Sequence, residues 1–273
     1  MDRNNLYQDT DNSYSQYSDE ELYNLAEKYD DSCEEEKALP IFESLANKGN
    51  LKAQHMLGFY YNNELGGIEK DIDKALRWYE KSALQGNAEA MNAIGDIYLD
   101  EDTNLYDTDK AIYWYKKAIE RGWYEGYMSL AHCYKDGKGV DQNYQQAYEL
   151  YMKALEMVDD EDRGFVYYNI GLMFYETEQY TEALYYLLKV DDINDHYLYL
   201  HFILGKCYFH GLGTVVNYQE AVKYFNRACK YGISEAYHYL GICYLKGYGV
   251  IKDEKYANEC FRNAKIREEL NNG

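Results

Sequence analysis

Basic residues, proline and long apolar runs are all scarce in this 273-residue chain, and the scarcities narrow what it can do. Lys and Arg total 28 against 48 Asp and Glu, a formal charge of −20. Phosphate-backbone binding needs Lys and Arg to displace counterions, so nucleic acid is not expected as a partner. An anionic membrane surface is disfavoured for the same reason. No stretch approaches the roughly 18 apolar residues of a membrane span. The opening residues, MDRNNLYQDTDNSYSQY, lack a basic segment followed by an apolar run and do not read as a secretory signal. Six cysteines stand at positions 33, 133, 207, 229, 243 and 260 with no CxxC pair. They read as free thiols in a reducing compartment, and a cytoplasmic protein is expected. Tyrosine is what the chain has in plenty, 35 copies against 8 Phe and 3 Trp. A hydrophobic share of 47% is ordinary for a globular chain, so global disorder is not expected.

One alanine marks an internal repeat. KALRWYEKSALQGN (Lys74 to Asn87) returns as KAIYWYKKAIERGW (Lys110 to Trp123), and more weakly as QAYELYMKALEMVD and EAVKYFNRACKYGI. Ala38, Ala75, Ala111, Ala147, Ala183, Ala221 and Ala257 follow one another at intervals of 36 to 38 residues. Large side chains stand three and four residues after these anchors, as in Trp78/Tyr79, Trp114/Tyr115 and Tyr224/Phe225, and small or aliphatic ones follow at +7 or +8. That spacing puts them on one helical face. Gly49, Gly86, Gly122 and Gly232, eleven after their anchors, are expected to stop four of the helices.

A second helix precedes each anchor, marked by a small residue: Ala26, Gly58, Gly95, Ala131, Gly171, Gly205 and Gly241. Three residues after each marker stands an aromatic: Tyr29, Tyr61, Tyr98, Tyr134, Phe174, Tyr208 and Tyr244. Small residues let helices approach, and the aromatic three on is expected to fill the space beside them. KDGKGV, HGLGTV and KGYGVI supply turns between the paired helices. Asp71, Asp107, Asn143, Asn217 and Asp253, four before their anchors, are expected N-caps, with Gln146 and Glu220 completing capping boxes. Pro40, the sole proline, is placed in a first helical turn.

The pattern AEAMNAIGDIY…DKAIYWYKKAIERG closely resembles the Sel1-like repeat family, a relative of the tetratricopeptide repeats. The copy at Tyr167 to Val190 lacks the glycine loop, its marker and anchor lie 12 residues apart, and it resembles an ordinary tetratricopeptide repeat; the copy from Ala26 to Ala38 has the same spacing. The resemblance implies an all-α, right-handed solenoid of about seven helix-turn-helix repeats. Residues 1–18 are expected to be a disordered polar tail and 19–273 a single repeat domain. The polar end after Ala264 is read as a cap on the last repeat.

Recognised chemistry is sparse. The six histidines form no HExxH or two-His-one-carboxylate pattern and read as surface and groove residues, so no metal and no cofactor is expected. Cys133, Cys207 and Cys243, each two after a marker, read as buried packing residues. Secreted Sel1-like proteins with two cysteines per repeat were once associated with penicillin binding; here only Cys229 falls near such a position, and its partner position is Tyr237, so that activity is not carried over. Asp100 to Asp109 has Leu105 and Ala111 where an EF-hand needs Gly and Glu, and reads as a solvated connection. No Walker loop, G-x-S-x-G elbow or dinucleotide fingerprint is present, and an enzyme is not expected.

By the resemblance, first helices line a concave groove, with residues three before and one after each marker projecting into it. The candidate ligand-contacting residues are His55, Asn92, Met128, His132, Tyr168, Phe202, Lys206 and His238, extended by Tyr175 and Phe209. Aromatic anchors beside polar groups suit a protein or peptide ligand. The acidic balance favours one carrying basic residues. The reading is a non-enzymatic interaction scaffold, monomeric by preference. The alternatives are a small-molecule or glycan receptor or enzyme using the groove, and a self-assembling structural protein.

Overall fold

A computed structural model describes residues 16–193, 197 and 199–271. Among them are fourteen α-helices and no strand. Contacts divide the chain into two compact units, 1–150 and 151–273. The first unit holds α1 (Asp19–Asp31), α2 (Glu35–Asn47), α3 (Leu51–Asn63), α4 (Ile72–Leu84), α5 (Ala88–Leu99), α6 (Thr108–Glu120) and α7 (Tyr124–Asp136). Helix α8 (Tyr144–Met157) follows. The second unit holds α9 (Arg163–Glu176), α10 (Tyr180–Ile193), α11 (Leu200–His210), α12 (Tyr218–Lys230), α13 (Ser234–Lys246) and α14 (Glu254–Asn271). Within each unit, every helix packs on the helices before and after it in the chain, as a helical repeat solenoid requires.

The anchor alanines are the fixed points of this packing. All seven are 0% exposed. The large residue four after the anchor also goes to the core, and Phe42, Tyr79, Tyr115, Leu187 and Phe225 are almost fully buried. Each such side chain is worth roughly 1.5–3 kcal/mol when it leaves water. The marker glycines exist for these residues. A Cβ added to Gly58 would lie 2.7 Å from the Tyr79 ring, one on Gly95 2.4 Å from the Tyr115 ring, and one on Gly205 2.6 Å from the Phe225 ring. The space beside the marker is therefore filled by the residue four after the anchor, and not by the aromatic three after the marker.

That aromatic does something else. In every copy its backbone carbonyl accepts a hydrogen bond from the amide of the residue that opens the second helix. The seven pairs are Glu34 to Tyr29, Asp71 to Tyr61, Asp107 to Tyr98, Asn143 to Tyr134, Gln179 to Phe174, Asn217 to Tyr208 and Asp253 to Tyr244, all between 2.8 and 3.0 Å. The bond forms across the glycine loops and equally across the two short turns. In the short turns Cys33 and Glu178 take the left-handed φ, 55° and 58°, that Gly137, Gly211 and Gly247 supply in three of the longer loops.

The expected caps form. The side chains of Asp71, Asp107, Asn143, Asn217 and Asp253 accept from the amides three residues on, at 2.9–3.1 Å. The Glu220 carboxylate, expected to return to the Asn217 amide, instead accepts from Lys223 at 2.6 Å. The Asn217 amide is already held by Tyr208. A reciprocal box forms at the first helix instead, between Ser18 and Glu21. Pro40 stands at the sixth residue of α2 rather than in its first turn, because the helix begins at Glu35. Gly49, Gly86, Gly122 and Gly232 end their helices with φ between 78° and 97°.

Gly95→Ala, which drives a methyl into the Tyr115 ring, is expected to cost about 2–3 kcal/mol. Gly122→Ala meets nothing within 4 Å and suffers only from its φ of 80°, a cost of about 1 kcal/mol. Urea midpoints for the two variants test this ordering, and a reversed order would contradict the packing role given to Gly95.

Candidate functional sites

The first unit carries a cleft of about 360 Å³. Its walls come from α3 (His55, Phe59, Asn62), α5 (Glu89, Asn92, Asp96) and the start of α7 (Trp123, Glu125), with Tyr79 of α4 behind them. The helix periodicity accounts for the meeting. His55 and Asn92 stand three before their markers, and Phe59 and Asp96 one after. Both positions therefore lie on one side of adjacent first helices.

Asp96 sits at the centre of a polar network. Its Oδ1 accepts from the Tyr115 hydroxyl at 2.8 Å, and its Oδ2 accepts from the Asn92 side-chain amide at 3.2 Å. Water reaches Asp96 from the open side, yet the protein packed around it pushes its carboxyl up to about 6, with Glu125 adding repulsion. Glu89 is also raised, by desolvation first and then by Glu125. His55 is pushed down to about 4 by burial, even with Glu89 Oε2 3.5 Å from its Nδ1, and its ring leans on Tyr79 at 5.5 Å. Asn92 is 6% exposed, and its Oδ1 has no hydrogen-bond partner among the described residues. Trp123 donates its indole N–H to Glu125 Oε2 at 3.2 Å.

The remaining candidates of this unit differ in depth. His132 is half-buried, whereas Met128 is 2% exposed and packs in the core, so its thioether fills space and offers no surface to a ligand. Position −3 runs to the core more than position +1 because the wide apolar face of the first helix extends over it.

In the second unit α9, α11 and α13 are joined by rings. Lys206 Nζ stands 5.4 Å from the Tyr175 ring and 5.5 Å from the Phe202 ring. Phe202 meets Tyr239 edge-on at 5.9 Å, and Phe209 meets the same ring at 5.2 Å. Tyr175, Phe202, Lys206 and Phe209 are thus brought together, half-buried, with Tyr239 as the piece that sequence reading missed. Tyr168 pairs instead with Tyr197, stacked at 4.6 Å, and His238 is exposed beside Phe261 at 5.4 Å.

His201, read as a surface or groove residue, is 0% exposed. Its Nε2 lies 3.2 Å from Asp191, which also takes Arg227 at 2.7 Å and the Tyr224 hydroxyl at 3.0 Å. This cluster ties α10, α11 and α12 together, a structural use of the polar residues. His196 lies outside the described residues. Burial pushes the thiols of Cys133, Cys207 and Cys243 up to about 11, which suits packing and not nucleophilic chemistry. Among the described residues, no three His, Cys, Asp or Glu side chains are placed to hold a metal ion, and no helix is long and apolar enough to cross a membrane.

Paired helices of this period, stacked in chain order, define an α-helical repeat protein. The Sel1 repeat pattern matches residues 51–87, 88–123, 125–159, 199–232 and 234–265, more than half of the chain, so the chain belongs to the Sel1 repeat family. The two short-turn copies fall outside those matches. An Arabidopsis thaliana protein, the ERAD-associated E3 ubiquitin-protein ligase component HRD3A, is 37% identical over 65 residues, 24% of this chain and 10% of that protein. HRD3B of the same plant is 40% identical over 53 residues, 19% of this chain and 9% of that one. The matches thus span a tenth or less of these curated relatives. In solved structures, the chain is similar to c5321, a protective antigen of uropathogenic Escherichia coli displaying an SLR fold, with a TM-score of 0.74 and 24% identity over 94% of this chain and 58% of that one. A Sel1 repeat protein from Oxalobacter formigenes gives 0.70 and 24%, over 91% and 97%. These likenesses establish the fold.

The perturbed carboxyl of Asp96 has a measurable signature. Its proton is held to about pH 6 in the fold but released near the ordinary 3.8 when unfolded. Its contribution to stability is therefore full below pH 4 and lost as pH rises to 6. Asp96→Asn removes that loss, while giving up one of the two acceptor sites that Tyr115 and Asn92 now use. The variant is expected to gain up to about 1 kcal/mol over wild type at pH 7, a figure held down by the water that reaches Asp96, with little gain at pH 4. Thermal unfolding of both proteins at the two pH values checks this. His55 is present in both, so its opposite trend cancels in the difference.

Proposed function

We propose that this chain is a non-enzymatic interaction scaffold that binds a protein or peptide across the first-helix faces of its repeats. Sel1 repeat proteins generally mediate protein–protein interaction and are generally non-catalytic, and that supports the reading. The observation that carries it is the joined surface of Tyr175, Lys206, Phe202 and Tyr239, which runs over three successive first helices. Aromatic rings held by neighbouring repeats give contact area with little ordering cost, as interface anchors need. The charge of −20 favours a ligand with basic residues, through faster encounter as much as through affinity. The setting we assign is the cytoplasm, where thiols remain reduced, and the working state is the monomer.

Affinity capture from lysate of the source organism tests the surface. Wild type is compared with the triple variant Tyr175→Ala, Lys206→Ala, Tyr239→Ala, after matching their far-UV circular dichroism. A protein retained by wild type and lost by the variant is the expected result. Identical capture by the two would remove this face from the binding function.

A further inference from the structure

We propose that the cleft between α3, α5 and α7 is a socket for an arginine side chain presented by the bound partner, with Asn92, Asp96 and Glu125 receiving its guanidinium. The assignment rests on the protein-binding reading above and names the chemistry of one contact within it.

Asn92 Oδ1 is an acceptor on a residue that is 6% exposed, and none of the described residues donates to it. A buried polar atom left unmet is destabilising, because its lost hydration is not replaced. The amide cannot be turned to escape that cost, because its Nδ2 donates to Asp96 Oδ2 at 3.2 Å. The cleft therefore lacks a donor at a defined place.

The charge of the missing donor follows from its neighbours. Asp96, Glu125 and Glu89 all line the cleft. Asp96 accepts only from neutral groups, Tyr115 and Asn92, and has no cationic partner among the described residues. Asp96 and Glu89 are both raised above the usual carboxylate range, and repulsion from Glu125 contributes to each. A bound cation would relieve this repulsion. Its shape follows as well. One guanidinium presents several N–H groups in a plane and can meet an amide oxygen and a carboxylate together. The 39% exposed Phe59 and the indole of Trp123 supply aromatic surface for a flat cation to lie against. An ammonium, being compact and more strongly hydrated, uses less of this arrangement. A volume of about 360 Å³ admits one long side chain.

The pentapeptide acetyl-Gly-Gly-Arg-Gly-Gly-amide is the probe, titrated into the full chain while the Trp123 indole N–H and the Asn92 side-chain amide are followed by NMR. The counterparts with lysine and with citrulline, the neutral isostere of arginine, are run alongside. Saturable shifts of both signals with the arginine peptide are expected, weaker binding with lysine, and no saturation with citrulline. Asn92→Leu and, separately, Glu125→Gln are each expected to weaken the arginine peptide about 5- to 10-fold while the rest of the spectrum stays folded. The second variant keeps the test open should the first unfold. Absence of saturation up to about 20 mM, or an equal response to citrulline, overturns the socket. An equal response to lysine overturns the guanidinium assignment. If the socket fails while the capture experiment still separates wild type from its variant, only this inference falls. Binding of free N-acetylarginine amide as tight as the pentapeptide would instead count against a protein ligand.

Discussion

A single backbone hydrogen bond sets the geometry of every repeat. In each of seven copies the amide that opens the second helix donates to the carbonyl of the aromatic residue near the end of the first. The chain between those two groups varies from a turn of four residues to a nine-residue loop, but the bond length stays between 2.8 and 3.0 Å. Fixing the two ends fixes the helix pair, so the anchor alanine meets the partner helix in the same place each time. The burial of all seven anchors follows from that constraint. Loop insertions become a local matter, absorbed outside the bond, as expected where loop length costs little entropy. This is why short-turn copies sit beside glycine-loop copies without disturbing the helical order.

The same order creates the surfaces. In the five glycine-marked copies the marker lies under the residue four after the anchor, and the positions around it are left on one face of the first helix. In the second unit those positions carry rings and one lysine, and they join into a continuous face. In the first unit they carry acids, an amide and a histidine around a cleft, where desolvation and like charge hold Asp96 well above the usual carboxylate range. The fold tolerates an unmet acceptor and crowded carboxylates there. Polar groups kept there at a cost to stability are what the proposed binding role would require.

Much of the fold was legible in the sequence, because a strict period overdetermines it. The anchors, the five side-chain caps, the four glycine stops and the packing role of Cys133, Cys207 and Cys243 all follow from residue type at a fixed place in the repeat. The site was less legible. Asp96 was visible as a position facing the groove, but nothing local distinguishes it from Glu27 at the equivalent place. Glu89 and Glu125 each stand six before a marker, a register signal that sequence reading passed over. Depth was the main difficulty. Met128 and His201 occupy polar-side or groove-side positions by spacing, yet neighbouring helices cover them, and coverage depends on packing that a one-dimensional period does not contain. Pro40 and Glu220 were misplaced for a simpler reason: a helix start two or three residues earlier, or a nearer lysine, changes which partner a group can reach.

Native-state hydrogen exchange of the seven latch amides, Glu34, Asp71, Asp107, Asn143, Gln179, Asn217 and Asp253, tests the shared geometry most directly. All seven should exchange at least about a thousandfold more slowly than unprotected amides, with Glu34 and Gln179 in the short turns as protected as the others in their own unit. Fast exchange at several of them, while the helix interiors stay protected, would contradict the claim that this bond sets the repeat.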